Sequence, residues 1–596
     1  MEITLDLTPE QAAEIDAGKL RREHAIDLDD PATNKPKSQA TLLIEIGSQY
    51  RLFHDADRNA YAIVPRKGAM EVWPIRSEGF RHILAGEFFE LTSKGFNRNA
   101  AGDALDTLEA KAIHTGKQHT VYLRVARVGG ALYLDLCDDA WRVIEVRPEG
   151  WRILDRAPVH FIRKRGMEAL PIPSGFGDVG HLANLINMDH AAGHFELVVS
   201  WMIGALRGRS PYPILVLQGE QGTGKSTASR IIRRFIDPST VPLRAPPKEP
   251  RDLIVSAVNN HLVCLDNLSG INAEISDCLC RFATGGGLDL RKLYTDSDTV
   301  MIDIQRPVLV NGIDDIANRP DLAERAVILH LPVLEAPTRV MESKLWEEAD
   351  KHSPAIMAGL LNALSAALAN EATTHLERKP RMADFAVWAT AAESALPWER
   401  GGFMTAYEAM RERAVEEGID SSPVGSVLVE YLLGLSPITS WSPTPTHLYQ
   451  TLSEKAGERA RSQAWPRTSK GMGMALNRIA PNLRAIGITF TKKHTDDRSY
   501  RFVVGGNVQS SEKAPEAPES PKPAPGKASG AGASPALTGG QAHRSAEAPE
   551  RKTEAPDVLP IKTSELGATG GSGAFSGQCT TTMSAKQFTS SDRGLI

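Results

Sequence analysis

Glycine, lysine and serine recur in this chain at one spacing that can hold an anion. The run Gly219-Glu220-Gln221-Gly222-Thr223-Gly224-Lys225-Ser226 is a complete Walker A sequence, and Thr227 follows it. Its glycines allow backbone N–H groups to curl around phosphate oxygens, while Lys225 offers a cation to the β and γ phosphates. The Ser226 hydroxyl can ligate Mg2+, which also needs an acidic residue at the end of a neighbouring strand. His261-Leu262-Val263-Cys264-Leu265-Asp266 supplies Asp266 for that Walker B role. ATP and Mg2+ are therefore the expected ligands. Asn267 comes next, where hydrolytic enzymes of this kind usually place Glu or Asp to orient water. An amide positions water without taking its proton, so fast hydrolysis is left open. Arg306-Pro307-Val308-Leu309-Val310 then ends in Asn311, expected between the first two strands of the site and near the γ phosphate or its water.

These residues need a scaffold. Tyr212-Pro213-Ile214-Leu215-Val216-Leu217-Gln218 reads as a buried strand running into the loop. The helix that follows has Ile231, Ile232 and Phe235 on one face and directs its positive end at the same anion. Apolar strands alternate with amphipathic helices through residues 180–335, the pattern of a parallel sheet covered on both faces, so the predicted fold is α/β with a P-loop core. Residues 1–40 read as a polar arm and 41–179 as a mixed, β-rich domain with strands such as Val121-Tyr122-Leu123-Arg124-Val125. Asp135, Asp138 and Asp139 end one of its strands and read as a solvated turn rather than as metal-binding carboxylates. Residues 336–420 carry helical periodicity and 421–505 form a last folded unit. Residues 506–596, with Phe575 and Phe588 their only aromatic side chains, have too little apolar surface to fold.

At 596 residues the chain exceeds a single core. Its net charge of −5 excludes a nucleic-acid coat protein but not a local basic face. Cys137, Cys264, Cys278, Cys280 and Cys579 are too scattered for a zinc site and are expected as reduced thiols. The first residues lack a signal sequence, and no apolar run is read as long enough to span a bilayer, so a cytoplasmic protein without a membrane partner is expected.

The loop, Asp266 and the strand ending in Asn311, with Gly285-Gly286-Gly287 to Asp298 between the last two, resemble superfamily 3 helicases of the AAA+ class. The likeness is strongest to the poxvirus-like modules of phages, plasmids and integrated elements. It covers roughly residues 180 to 332, and its implications are specific. A hairpin before the Asn311 strand would grip single-stranded DNA in a ring's channel, with Arg291 and Lys292 as phosphate contacts, although Asp296 and Asp298 make its turn acidic. An arginine after that strand would reach the neighbouring subunit's ATP; Arg325 is favoured over Arg319, a surface salt bridge being the alternative for either. Such a trans arrangement implies a homo-oligomer, a hexamer in this resemblance.

Beyond residue 421, helices followed by two alternating strands look like a winged helix. Its basic residues include Arg467, Lys470, Lys492 and Lys493, candidates for DNA phosphates. The expected function is an ATP-dependent DNA helicase or translocase in replication of a phage, plasmid or integrated element. A nucleotide-switched DNA-binding initiator or regulator shares every motif and remains the alternative; a small-molecule kinase is disfavoured by the motif spacing.

Overall fold

The computed structural model describes residues 26–505 apart from 67, 210, 287, 292–298, 303, 314, 315, 317, 318, 336, 338, 436–439 and 494–498. Lys292, Asp296, Asp298 and residues 506–596 lie outside that set, as does most of the 1–40 arm.

Short polar residues start the first helices. Ser38, Ser77 and Asn97 accept from the N–H groups of Thr41, Phe80 and Ala100, capping the helices Gln39–Ser48, Glu78–Thr92 and Arg98–Thr115. These pack on a sheet ordered Ala69–Pro74, Ala60–Arg66, Arg51–His54, Lys117–Gln118. Leu43, Phe80, Leu84, Phe88 and Leu108 fill the space between the layers. An antiparallel meander follows, built from Val125–Val128, Ala131–Asp135, Val143–Arg147 and Gly150–Leu154.

The sequence division at residue 179 is not a break in packing. Leu132, Leu134, Ile144 and Val146 of the meander share one continuous hydrophobic core with the parallel sheet and the helices that follow it. Arg124, just before the meander, is fully buried and donates Nε to Asp237 at 3.0 Å. Alternation told which face of the meander was apolar but not that the face would pack on residues more than two hundred positions away.

The sheet that carries the loop consists of β1 (Ile214–Gln218), β2 (Val263–Leu268), β3 (Val308–Gly312) and β4 (Ala326–His330). Their spatial order is β2-β3-β1-β4 and every pairing is parallel. The strands are almost continuously apolar because helices cover both faces. Helix α1 (His194–Ala205) precedes β1, α2 (Lys225–Ile236) follows the loop, and α3 (Pro250–Asn259) and α4 (Ala273–Thr284) flank β2. Between α4 and β3 the strand Leu288–Arg291 pairs antiparallel with Thr299–Ile302. A hairpin thus stands immediately before β3, with Arg291 at the end of its first strand.

Helices α5 (Glu342–Asn370), α6 (Ala383–Ala392) and α7 (Gly402–Asp420) pack against the same core. Contrary to the sequence reading, α5 does contain an eighteen-residue window long and apolar enough to cross a membrane. Most of that window is buried inside the protein, since its Ala and Leu side chains meet the meander and α6, which accounts for the apolar composition.

Residues 423–505 have a separate core. Helices α8 (Pro423–Gly434), α9 (Pro445–Ala456) and α10 (Ser469–Ala485) are capped by Ser422, Thr444 and Thr468. The strands β5 (Ile488–Lys493) and β6 (Ser499–Val504) form a hairpin, and Ser440–Trp441 adds to the outer edge of β6. Leu428, Leu452, Leu476, Leu483 and Phe502 close this unit.

Candidate functional site

The loop Gly219–Ser226 lies at the carboxyl end of β1 and turns into α2. Gly222 and Gly224 have φ of 85° and 82°, a region costly to residues with a Cβ. The Thr223 hydroxyl, fully buried, donates to the Glu220 carbonyl at 3.0 Å and stiffens the turn. Lys225 points back across the loop, donating Nζ to the carbonyls of Gly219 at 2.9 Å and Glu220 at 2.7 Å and to Thr223 Oγ1 at 3.3 Å. Burial pushes the Lys225 ammonium pKa down, and the Asp266 carboxylate opposes that shift. Glu220, Gln221 and Gly222 are exposed at the rim; Thr227, in the first turn of α2, is half-buried.

Ser226 and Asp266 meet directly, the hydroxyl donating to Oδ1 at 2.7 Å. This joins the start of α2 to β2 across the width of β3, which stands between β1 and β2. Asn311, 1% exposed, occupies that intervening strand. Its Oδ1 accepts from the Asn267 N–H at 2.9 Å, and its Nδ2 donates to Ser229 Oγ at 2.9 Å. Ser229 in turn donates to the Lys225 carbonyl. The Ser226–Asp266 pair and the chain Lys225–Ser229–Asn311–Asn267 are thus two hydrogen-bonded sets, joined along the backbone at residues 225–226 and 266–267. Asn267 has φ 55°, a left-handed conformation that Asn tolerates better than most residues, and its side chain is exposed.

Two hard oxygen donors side by side, a hydroxyl and a carboxylate, suit Mg2+. Among the described residues no group of three His, Cys, Asp or Glu side chains could hold a metal alone, so Ser226 and Asp266 would need phosphate or water oxygens to complete a shell.

Asn187 and Arg339 were not singled out from the sequence. Asn187 Nδ2 donates to the carbonyls of Thr223 at 3.0 Å and Pro332 at 2.6 Å, tying the loop to the segment after β4. A Cβ added at Gly222 would lie 3.8 Å from Arg339 Nη2, so this exposed guanidinium stands beside the loop. Neither has a motif, because each reaches the site through the fold.

Arg325 is elsewhere. Its carbonyl accepts from the Ile214 N–H at the start of β1, whereas the loop begins at the other end of that strand. Its Nη1 donates to the Asp321 carbonyl at 2.7 Å, and Nε has no hydrogen-bond partner among the described residues. Arg319 pairs with Asp277 at 2.9 Å and Asp321 at 3.4 Å. Within one chain neither arginine meets Lys225. A cleft of about 900 Å³ opens near Arg319, between the sheet-bearing core and helices α7, α8 and α10. It is distinct from the Ser226–Asp266 contact.

The basic candidates of the last unit are exposed: Arg467 and Lys470 at the start of α10, Lys492 and Lys493 at the tip of β5. Arg467 donates to the carbonyls of Arg461 and Ser462, and Lys492 lies 5.5 Å from the Tyr500 ring centroid. Asp135, read as solvated, is only 1% exposed, because Arg163 donates to its Oδ1 at 2.7 Å and Oδ2 at 3.0 Å. Asp138 accepts from Arg142, and Asp139 alone of the three is exposed. Cys137, Cys264, Cys278 and Cys280 are free thiols; Cys579 lies outside the described residues.

Fold and site together define an α/β protein with a glycine-rich loop at the carboxyl edge of a parallel sheet, followed by a small helical unit ending in a hairpin. Residues 179–413 match the family model described as actinomycete integrative conjugative element replication protein, and residues 424–514 match that of the AICE RepA C-terminal domain. The two segments together span more than half of the chain and follow each other in order, so the chain belongs to this family of replication proteins of integrative conjugative elements.

Similar solved structures include the A form apo structure of the NrS-1 C terminal region, with TM-score 0.36 and 11% identity over 78% of this chain and 98% of that one. The apo structure of NrS-1 C terminal region gives 0.36 and 12% over the same shares. No curated protein matches the chain.

Proposed function

We propose that this replication protein is a Mg2+-dependent ATPase whose P-loop core, of the superfamily 3 AAA+ kind, drives translocation on or unwinding of DNA. The observation that carries this reading is the 2.7 Å contact between Ser226 and Asp266, beside Lys225 and under Asn311. In it the backbone N–H groups of Gly222–Ser226 bind the phosphates, and Lys225 exchanges the loop carbonyls for β and γ phosphate oxygens. Ser226 and Asp266 hold Mg2+, which when bound neutralises phosphate charge. Asn311 fixes the Asn267 turn and orients the water facing the γ phosphate. Arg325, at the far end of the sheet, is assigned to the neighbouring subunit's nucleotide in a homo-oligomeric ring, a hexamer by resemblance. The hairpin Leu288–Arg291 with Thr299–Ile302 is assigned to single-stranded DNA in the channel. Helices α8–α10 with the β5–β6 hairpin act as a winged helix against DNA phosphates.

One observation favours a second reading, a nucleotide-switched initiator with little turnover. Asn267 carries no carboxylate, and its N–H is committed to Asn311. Steady-state ATP hydrolysis with and without single-stranded DNA, beside Lys225→Ala, separates the two. A motor gives DNA-stimulated turnover that the variant abolishes. Tight ATP binding without turnover selects the switch, and neither binding nor turnover sinks both.

A further inference from the structure

A second cavity, of about 550 Å³, lies between the N-terminal sheet and the segment around the meander, away from the loop at Gly219. The half-buried rings of Trp141 and His160 stand in its lining, backed by the buried Phe53 and Phe161 and by the aliphatic side chains of Ile63, Val72, Val143 and Val159. Phe53 stands 4.8 Å from His160 and 5.5 Å from His119, ring centre to ring centre. Burial holds His160 down at about 4 and lowers His119 as well, with Arg51 contributing to both shifts, so the rings face the cavity uncharged near neutrality. His119 Nε2 is itself buried and has no hydrogen-bond partner among the described residues.

The cavity has a basic lip. Arg51 and Lys117 line it, are exposed, and have no ion-pair partner among the described residues. Of the two acidic side chains in the lining, Asp135 is already neutralised by Arg163. Trp141 is held in a conformation that bulky residues avoid, with φ 55°, as is Cys137 in the same loop. The strain is maintained from outside: Arg163 stacks 4.0 Å from the Trp141 ring centroid while gripping Asp135, and Arg142 grips Asp138 at 2.6 Å. Left-handed backbone at such a residue costs on the order of 1–3 kcal/mol and persists where the surroundings fix it. Here it holds an indole at a cavity that combines flat rings with exposed cations.

We infer that this cavity binds an unpaired nucleobase by stacking, with the attached phosphate held at Arg51 and Lys117. Base stacking on aromatic side chains is tolerant of base identity, and exposed cations track the backbone. The same chemistry comes from two sources, a base within single-stranded DNA or a free mononucleotide. The site is independent of the ATPase reading.

Photo-crosslinking of the full chain tests it, with 5-iodo-dUMP in one arm and an oligodeoxythymidylate bearing one 5-iodouracil in the other, followed by peptide mapping. Crosslinks at Trp141 or His160 are expected; the arm that gives them identifies the source. Arg51→Glu with Lys117→Glu, both on the surface, should lower that yield about tenfold while leaving thermal unfolding unchanged. Because both probes lack a triphosphate and crosslinks are located by residue, failure of the Gly219 loop to bind ATP would not affect the result. Crosslinks only outside residues 51–161, none at all, or a yield indifferent to the double charge reversal would each overturn the inference.

Discussion

Replacing Asn311 by alanine removes two hydrogen bonds at once, from the Asn267 N–H and to Ser229 Oγ, each 2.9 Å long. Ser229 keeps its bond to the Lys225 carbonyl and Asn267 is near solvent, so no group is left buried and wholly unpaired. At about 1 kcal/mol for each bond, plus about 1 kcal/mol for the void left by a side chain that is 1% exposed, local stability should fall by 2–3 kcal/mol. Amide exchange at Asn267 should then accelerate roughly thirtyfold or more, since each 1.4 kcal/mol is a factor of ten. Hydrogen–deuterium exchange on the peptide spanning Val263–Leu268 reads this directly, and ATP turnover reads the consequence. Asn311→Asp keeps the acceptor for Asn267 but loses the donor to Ser229 and adds a carboxylate on the strand beside Asp266. It should preserve Asn267 protection and still lose turnover. Native protection together with native turnover in Asn311→Ala would refute the role given to this residue.

Arg339→Ala removes a cation beside Gly222 without disturbing any buried group, and is expected to weaken ATP binding about tenfold in an equilibrium titration with no change in melting temperature. For Glu371, burial favours the neutral acid, but hydrogen bonding to Arg127 and the charges of Arg127, Arg207 and Arg209 outweigh it and hold the carboxyl below its usual 4.5. Because the folded value is depressed, its contribution to stability is complete above the unfolded value and disappears as pH falls through the folded one; melting temperature against pH should show this acid limb. Glu371→Gln should flatten the limb and cost about 3 kcal/mol at neutral pH, since Arg207 is left buried without its counter-charge. Lys492→Ala with Lys493→Ala should lower the slope of log affinity for duplex DNA against log salt by about two, read by fluorescence anisotropy.

The part of the site nearest the motif was legible because strand ends are legible. A buried apolar run followed by glycines placed the loop, and two further apolar runs ending in Asp266 and Asn311 placed the residues that the parallel sheet must bring to one edge. What pattern could not carry was partnership. Asn187 and Arg339 reach the loop through chain segments with no fixed spacing to it, and Ser229 reads as one more residue of an amphipathic helix. The meander offered the same difficulty at larger scale: its alternation is clear, yet its apolar face is completed by α5, whose Ala- and Leu-rich run shows only helical periodicity in the sequence. Asp135 was misread for the complementary reason, since the arginine that neutralises it comes twenty-eight residues later.

Asn267 joins the two levels. Read from sequence, it is a departure from the carboxylate that usually follows a Walker B aspartate. In the fold it sits where β2 leaves the sheet's regular register, between Leu265 and Leu268, with φ 55° and its N–H turned to Asn311. Left-handed backbone costs roughly 1–2 kcal/mol for most L-residues and less for Asn or Asp, whose short polar side chains are accommodated there. A glutamate at this position would bear that cost, so the amide at residue 267 and the shape of the turn suit each other. The turn in turn gives Asn311 its acceptor role, and through Ser229 links the end of β2 to the backbone of Lys225. In the ATPase reading proposed above, the water facing the γ phosphate would be oriented by a network anchored in main-chain geometry, and the rate of hydrolysis would follow how rigidly Asn311 holds that turn rather than the basicity of residue 267.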